Sequence, residues 1–298
     1  MVSEQIVYSS PLRYPGGKTR LTTFLEDIIL LNNLENCTFY ELYAGGAGVS
    51  LNLLFSGICN RIVLNDLDFH IYAFWYSILN DTENFLRLLS DTPVDVNTWQ
   101  AQKDIYQNHK DYSRLKVGFS AFFLNRTNRS GILHRSGPIG GHDQTGNYKI
   151  DVRYNKHMLT QRIEKIADLQ SKIEIKNLET VQLLESLFDE DQGLRFVFLD
   201  PPYYNQGERL YFSAYTDKDH EALRDVLSKY SNENWFLTYD NCHRINQLYT
   251  SFRRSNQLMS YTLQDKKETK EVLIFSDSLY LPKRYNSGSK SRKLVIKQ

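Results

Sequence analysis

Residues 38–66 constrain the fold more than any other stretch of the chain. Thr38 to Tyr43 (TFYELY) reads as a short strand and runs into Ala44-Gly45-Gly46-Ala47-Gly48. Val49 to Phe55 continues as a helix that stops at Gly57, and Arg61 to Leu64 (RIVL) is a second strand followed by Asp66. Strand, glycine turn, helix, strand and acidic residue make one unit of a parallel α/β sheet. Glycines between a strand and a helix let the backbone approach a ligand closely. Asp66, twenty residues beyond Gly46, stands where an acidic side chain accepts hydrogen bonds from ribose hydroxyls. A nicotinamide site would need G-x-G-x-x-G, and that pattern fails because Gly46 and Gly48 are followed by Leu51.

The alternation then breaks for about a hundred residues. Lys18 to Leu31 and Ile71 to Leu79 have helical spacing before the break, and Thr98 to Leu124 reads as helical within it. Asn125 to Asn155 is loop and hairpin material holding five of the 15 glycines, with Gly140 to Asn155 as the hairpin. After a helix near Lys156 to Gln170, strands are expected at Lys172 to Lys176, Leu194 to Leu199 and Trp235 to Tyr239. A helix is expected at Asp217 to Tyr230 and a final hairpin from Gln257 to Phe275. The expectation is an α/β sheet interrupted by an inserted, mainly helical module with a hairpin: residues 1–80 and 171–280 form one domain, 81–170 the insert, and 281–298 a basic tail.

Asp200-Pro201-Pro202-Tyr203 directly follows the apolar strand RFVFL. In open α/β sheets ligands bind at the carboxyl ends of strands. Two prolines stiffen the backbone, and Pro202 has no N–H to donate. The Pro201 carbonyl therefore stands as an acceptor beside the Asp200 carboxylate. Two acceptors and one aromatic face suit a planar ring that carries an exocyclic amino group. A third motif, Arg13-Tyr14-Pro15-Gly16-Gly17-Lys18-Thr19, invites a P-loop reading; Leu12 stands where that loop needs glycine, and no strand precedes it.

Composition narrows the class further. With 41% hydrophobic and 24% charged residues the chain suits a globular protein rather than a disordered or collagen-like one. Its three cysteines, Cys37, Cys59 and Cys242, are far apart, which disfavours a disulfide framework or a cysteine zinc site. Met1 to Ser10 has no apolar h-region, and no stretch approaches the ~18 apolar residues of a membrane helix. A cytoplasmic protein with no metal is expected.

Taken together, in this order, the motifs resemble the Dam-type adenine-specific DNA methyltransferases. The matching pieces are YPGGK, ELYAGGAG, Asp66 in LNDLD, and DPPYY, with Phe122 to Thr127 (FFLNRT) resembling the start of that family's DNA-recognition module. Thr238 to Asn241 (TYDN) sits on the strand where the family carries a related motif. The resemblance spans roughly residues 8–276, and the order of its motifs is that of the alpha group. It implies a Rossmann-like methyltransferase sheet that binds S-adenosylmethionine (SAM) as methyl donor. Family contacts map onto Tyr14 and Lys18, onto Asp66 at the ribose and onto Asp200 near the amino-acid moiety, with Glu41, Gly45, Gly46 and Gly48 lining the pocket. The first-motif aromatic is often Trp elsewhere, and Tyr14 keeps a stacking face.

The implied reaction is methylation of adenine N6 in a specific duplex sequence. A base inside a duplex is out of reach, so it must be flipped out, and Tyr203 would stack on it. Asp200, Pro201, Pro202 and Tyr203 are the expected catalytic set. No nucleophilic cysteine is needed, and none of the three follows a proline as the cytosine carbon-5 enzymes require.

A net charge of +1 on its own argues against a DNA partner, but it is a cancellation. Trp99 to Lys165 carries +7 and Leu281 to Gln298 carries +6, leaving −12 on the remaining 213 residues. Two basic segments on an acidic body suit a DNA footprint. Asn125, Arg126, Asn128, Arg129 and Arg135 have side chains of the types that read base edges. After Leu133 the sequence HRSGPIGGHDQTGNYKID departs from that of the members that read GATC. A monomer is expected, with a cognate restriction endonuclease possible as a separate protein. The rival readings are an RNA base methyltransferase acting on adenine or guanine amino groups, and a SAM- and DNA-binding regulator without turnover. YPGGK and the place of the insert weigh against the first, and intact Asp66, Asp200 and Tyr203 against the second.

Overall fold

The computed structural model describes residues 10–13, 17–190, 193–205, 215–260, 268–287 and 290–296. Its centre is a seven-stranded sheet of β1 (Thr38–Glu41), β2 (Arg61–Asn65), β3 (Ile173–Lys176), β4 (Arg195–Leu199), β5 (Trp235–Asp240), β6 (Arg253–Ser260) and β7 (Glu268–Phe275). The strand order is β3-β2-β1-β4-β5-β7-β6. β1 to β5 are parallel, whereas β7 is antiparallel to both β5 and β6. The order reverses between β1 and β4, which opens a crevice at their carboxyl ends.

Both faces of the sheet are covered, so the central strands are apolar on alternate sides. Phe39, Phe196, Phe198 and Phe236 pack with α1 (Thr22–Leu31), α2 (Gly48–Phe55) and α3 (Phe69–Asn80). Tyr40, Val197, Leu199 and Leu237 pack on the other face with α8 (Thr180–Asp189), α9 (Asp217–Lys229) and α10 (His243–Leu248). A row of rings crosses the first face: Phe39 on Phe196 at 5.7 Å, Phe198 on Phe236 at 5.6 Å, and Phe236 on Phe275 at 5.2 Å between centroids. Such pairs add about 0.5–1.5 kcal/mol each beyond burial.

The interruption between α3 and β3 holds α4 (Thr82–Asp91), α5 (Val96–Gln107), α6 (Arg114–Thr127) and α7 (Lys156–Ala167). α6 lies close on α3 because Gly118 has no side chain; a Cβ there would come within 2.4 Å of the Ala73 carbonyl oxygen. The buried residues of the insert continue those of the sheet's first face in one cluster.

Two expectations are corrected here. Thr98 to Leu124 is two helices, separated by a 3-10 turn at His109–Asp111, with Ser113 capping the second through the Lys116 N–H. Gly140 to Asn155 forms turns and a 3-10 helix at Ile150–Arg153 rather than a hairpin. Gly140 and Gly141 both take left-handed conformations (φ +87° and +84°). The Gln144 side chain donates to the Ile139 carbonyl and accepts from the Ile150 N–H, replacing ladder bonds by local ones. The basic tail is also ordered where described. β8 (Arg284–Ser287) pairs with β9 (Lys290–Lys293), and Leu294 is buried in the main core.

Candidate active site

Three carboxylates stand at the carboxyl ends of adjacent parallel strands: Glu41 ends β1, Asp66 follows β2 and Asp200 follows β4. Glu41 is buried and accepts from the Ser50 N–H at 3.1 Å and from its hydroxyl, so it ties β1 to α2. The glycine turn between them is sharp: Gly45 has φ +45° and Ala47 φ +48°. The Trp75 indole N–H donates to the Gly45 carbonyl at 2.9 Å, and the Gly45 N–H donates to Asp66 Oδ2 at 2.8 Å. Asp66 Oδ1 accepts from the Asp68 N–H at 3.0 Å. A carboxylate has about four acceptor positions, so two remain at Asp66 for hydroxyl donors. Gly48 admits the first motif against this turn, since a Cβ there would meet Thr19 Oγ1 at 2.4 Å.

Asp200 is held from two sides. The Thr238 hydroxyl donates to Oδ1 at 2.6 Å and the Lys18 ammonium to Oδ2 at 2.9 Å. Lys18 Nζ is also 3.5 Å from Glu271 Oε1 and lies over the Tyr203 ring, 4.9 Å from its centroid. The Tyr203 hydroxyl donates to Glu271 Oε1. Asp240, at the end of β5, accepts from the Tyr204 and Asn205 N–H groups at 2.9 and 3.1 Å. The 200–205 loop is therefore fixed by β5 and β7 at successive residues. Tyr14 lies outside the described residues. The remaining expected cofactor and catalytic residues lie at the carboxyl ends of β1, β2 and β4, with Lys18 of the first motif set against Asp200.

A family model for the D12 class N6 adenine-specific DNA methyltransferases matches residues 14–263. The chain belongs to this family. It is also similar to the Type II methyltransferase M.MjaIII of Methanocaldococcus jannaschii, 21% identical over 261 residues, which covers 81% of this chain and 88% of that protein. Family membership makes the protein a SAM-dependent DNA adenine methyltransferase. Among the described residues no group of three or more His, Cys, Asp or Glu is arranged to hold a metal ion, and no helix is long and apolar enough to cross a membrane.

Three of the residues expected to read DNA do other work in this methyltransferase. Asn125, Arg126 and Asn128 are buried. Asn125 accepts from the Arg13 N–H at 2.7 Å and donates to the Arg13 and Gly131 carbonyls at 2.9 Å each. Arg126 donates to the Arg153 and Pro11 carbonyls, and burial together with Arg13 and Arg162 pushes its guanidinium down to about 9. Asn128 accepts from the Trp99 indole and donates to the Ile132 carbonyl. These side chains satisfy main-chain groups that the irregular loop leaves without a ladder. They also clamp the segment before the first motif to the 129–135 turn. Arg129 and Arg135 are exposed on that turn.

Sequence reasoning missed Glu271 and the anchoring by Thr238 and Asp240. TYDN carries a visible motif, but Glu271 shows only as one acid in the apolar run EVLIF.

The carboxylate set fits a cationic ligand such as SAM. Burial raises the Glu41 carboxyl to about 8, against the Ser50 hydrogen bonds, with Asp200 and Asp66 nearby pushing the same way. Burial and Asp68 raise Asp66 to about 7. Burial also raises Asp200, while Lys18 opposes it. Glu41 and Asp66 thus hold protons in the folded state that the unfolded chain has released, where such groups titrate near ~4. Stability of the ligand-free protein falls as pH rises from about 4 toward 8, since there the native state binds more protons. The carboxylates formed over the same rise attract the sulfonium. SAM therefore raises Tm more at pH 8.5 than at pH 6 and releases protons on binding. Thermal melts and calorimetry in two buffers check this, and equal shifts at both pH values refute it.

Proposed function

We propose that the crevice formed by β1, β2 and β4 binds SAM, and that Asp200 to Tyr203 receive an adenine flipped out of duplex DNA. Glu41, the glycine turn, Lys18 and Asp66 lie on the cofactor side, with Asp66 at the ribose. SAM supplies an activated methyl group there. Adenine N6 is a weak nucleophile because its lone pair is delocalised into the ring. Hydrogen bonds from the amino group to the Asp200 carboxylate and the Pro201 carbonyl orient it and favour pyramidalisation. Tyr203 stacks on the base, returning ~1–3 kcal/mol against an unstacking cost of a few. N6 would bond to the methyl carbon as the C–S bond breaks, the electron pair staying on sulfur to leave S-adenosylhomocysteine, and the N6 proton would be lost beside Asp200, whose carboxyl burial raises. Positioning and charge placement carry the catalysis.

The observation that carries this reading is the Asp200 carboxylate at the switch point, held by Thr238 and Lys18 beside the Tyr203 ring. Residues 81–170 are the recognition module, and its exposed Arg129 and Arg135 are the side chains we assign to DNA. All the named groups lie in one chain, so a monomer suffices, acting in the cytoplasm where DNA and SAM meet. The relative's designation as a Type II methyltransferase supports a restriction–modification role, with any endonuclease a separate protein.

The test is transfer from methyl-labelled SAM to unmethylated duplex DNA and to structured RNA, followed by identification of the methylated nucleoside. N6-methyladenine in DNA is expected. Labelling of RNA alone gives the reading to the RNA rival, and SAM binding without transfer to either gives it to the regulator.

A further inference from the structure

We propose that Glu271 is a positioning residue for methyl transfer, one that fixes the Tyr203 ring and takes over Lys18 when the target amino group claims Asp200. The inference rests on the function proposed above and adds a residue outside its motifs. Glu271 lies on the antiparallel β7, opposite Asp240 of β5, and its side chain is fully buried. A buried carboxylate is costly unless paired. Glu271 is paired here: Oε1 accepts the Tyr203 hydroxyl and stands 3.5 Å from the Lys18 ammonium.

Lys18 gives that arrangement its meaning. Its side chain is only 3% exposed, and its ammonium contacts Asp200 at 2.9 Å while lying over the Tyr203 ring. That is the place a base amino group takes when it bonds Asp200 and its ring stacks on Tyr203. An ammonium and an adenine amino group cannot both fill it. With a second carboxylate already within reach, Lys18 moves a short way and stays paired. Without one, Lys18 would compete with the substrate for Asp200. The Tyr203 hydroxyl on the same Glu271 oxygen sets the ring before the base arrives. Stacking therefore needs no reorientation of the ring.

The test uses the full-length protein with labelled SAM and PCR-amplified, unmethylated bacterial genomic DNA. In Glu271→Gln the amide oxygen still accepts from Tyr203 but no longer balances Lys18. We expect kcat to fall on the order of 10²-fold, with SAM affinity and KM for DNA within about threefold and the melting transition retained. A lost group that only shaped the fold would instead lower the folded fraction or SAM affinity and spare kcat per folded molecule; that result overturns the proposal, as does an unchanged kcat. Should Glu271→Gln not fold, Tyr203→Phe decides: it keeps the ring and removes only the anchor. A fall of about tenfold in kcat supports the proposal, and wild-type kcat overturns it. Wild-type protein run in parallel separates the two levels. No transfer by wild type sinks the functional reading, whereas transfer by wild type and variants alike sinks only the role of Glu271.

Discussion

Asp200→Ala lowers kcat for methyl transfer by on the order of 10³-fold and leaves the protein folded. In the proposed mechanism the carboxylate is the acceptor that orients the amino group, and alanine offers none. Thr238 and Lys18, which hold Asp200, are donors and offer no acceptor in its place. Folding survives because the substitution does not strand Lys18: Glu271 remains 3.5 Å from its ammonium. SAM affinity falls far less, since Asp66, Glu41 and the glycine turn are untouched. Initial rates with labelled SAM, beside a thermal melt and SAM titration, check the three statements together. Wild-type kcat in the variant would falsify the catalytic assignment, and a lost melting transition would show Asp200 to be structural.

DNA affinity falls by about 10³–10⁵-fold between roughly 50 and 200 mM salt if about 6–10 phosphates are neutralised. Trp99 to Lys165 carry +7 although the chain carries +1, and the local charge is what counterions sense. Replacing Arg129 and Arg135 together by alanine reduces the log–log slope by about 1.8 if both meet phosphates. If they read base edges instead, the slope holds and affinity for the cognate site alone drops, by ~1–3 kcal/mol each. Unchanged affinity in the double variant removes both from the interface. For the tail, truncation is the wrong instrument, because Leu294 belongs to the main core and Leu281 and Ile296 pack against it. Neutralising the exposed Lys283, Arg284 and Lys293 tests the charge without opening the core.

The parts of the site that were legible in the sequence are those built from contiguous residues. ELYAGGAG lies between a strand and a helix, and DPPY directly follows a strand, so chain direction alone places both at carboxyl ends. Asp66 follows from the same logic one strand later. The recognition residues were read less well. Asn125, Arg126 and Asn128 have the chemistry of base readers, but a helix ending in an irregular loop has main-chain groups of its own to satisfy. Those side chains serve Arg13, Pro11, Gly131, Arg153 and Ile132. Residue type is visible in sequence, whereas the direction a side chain faces is not. The absent hairpin has a similar origin: Gly140 and Gly141 permit a hairpin turn equally well, and Gln144 bonds decide against it.

By itself the sequence determined the strand–turn–helix units, the break in strand alternation between β2 and β3, the methyltransferase motifs and the uneven division of charge along the chain. Each depends on near neighbours, periodicity or counting. Only the tertiary structure decided that β7 enters between β5 and β6, which brings Glu271 to residues 68 and 253 positions away in the chain, Tyr203 and Lys18. It also decided that Lys18 faces Asp200. Burial of charge is a property of the folded interior. Which acids share one cation there is set by strand order, and no local pattern records it.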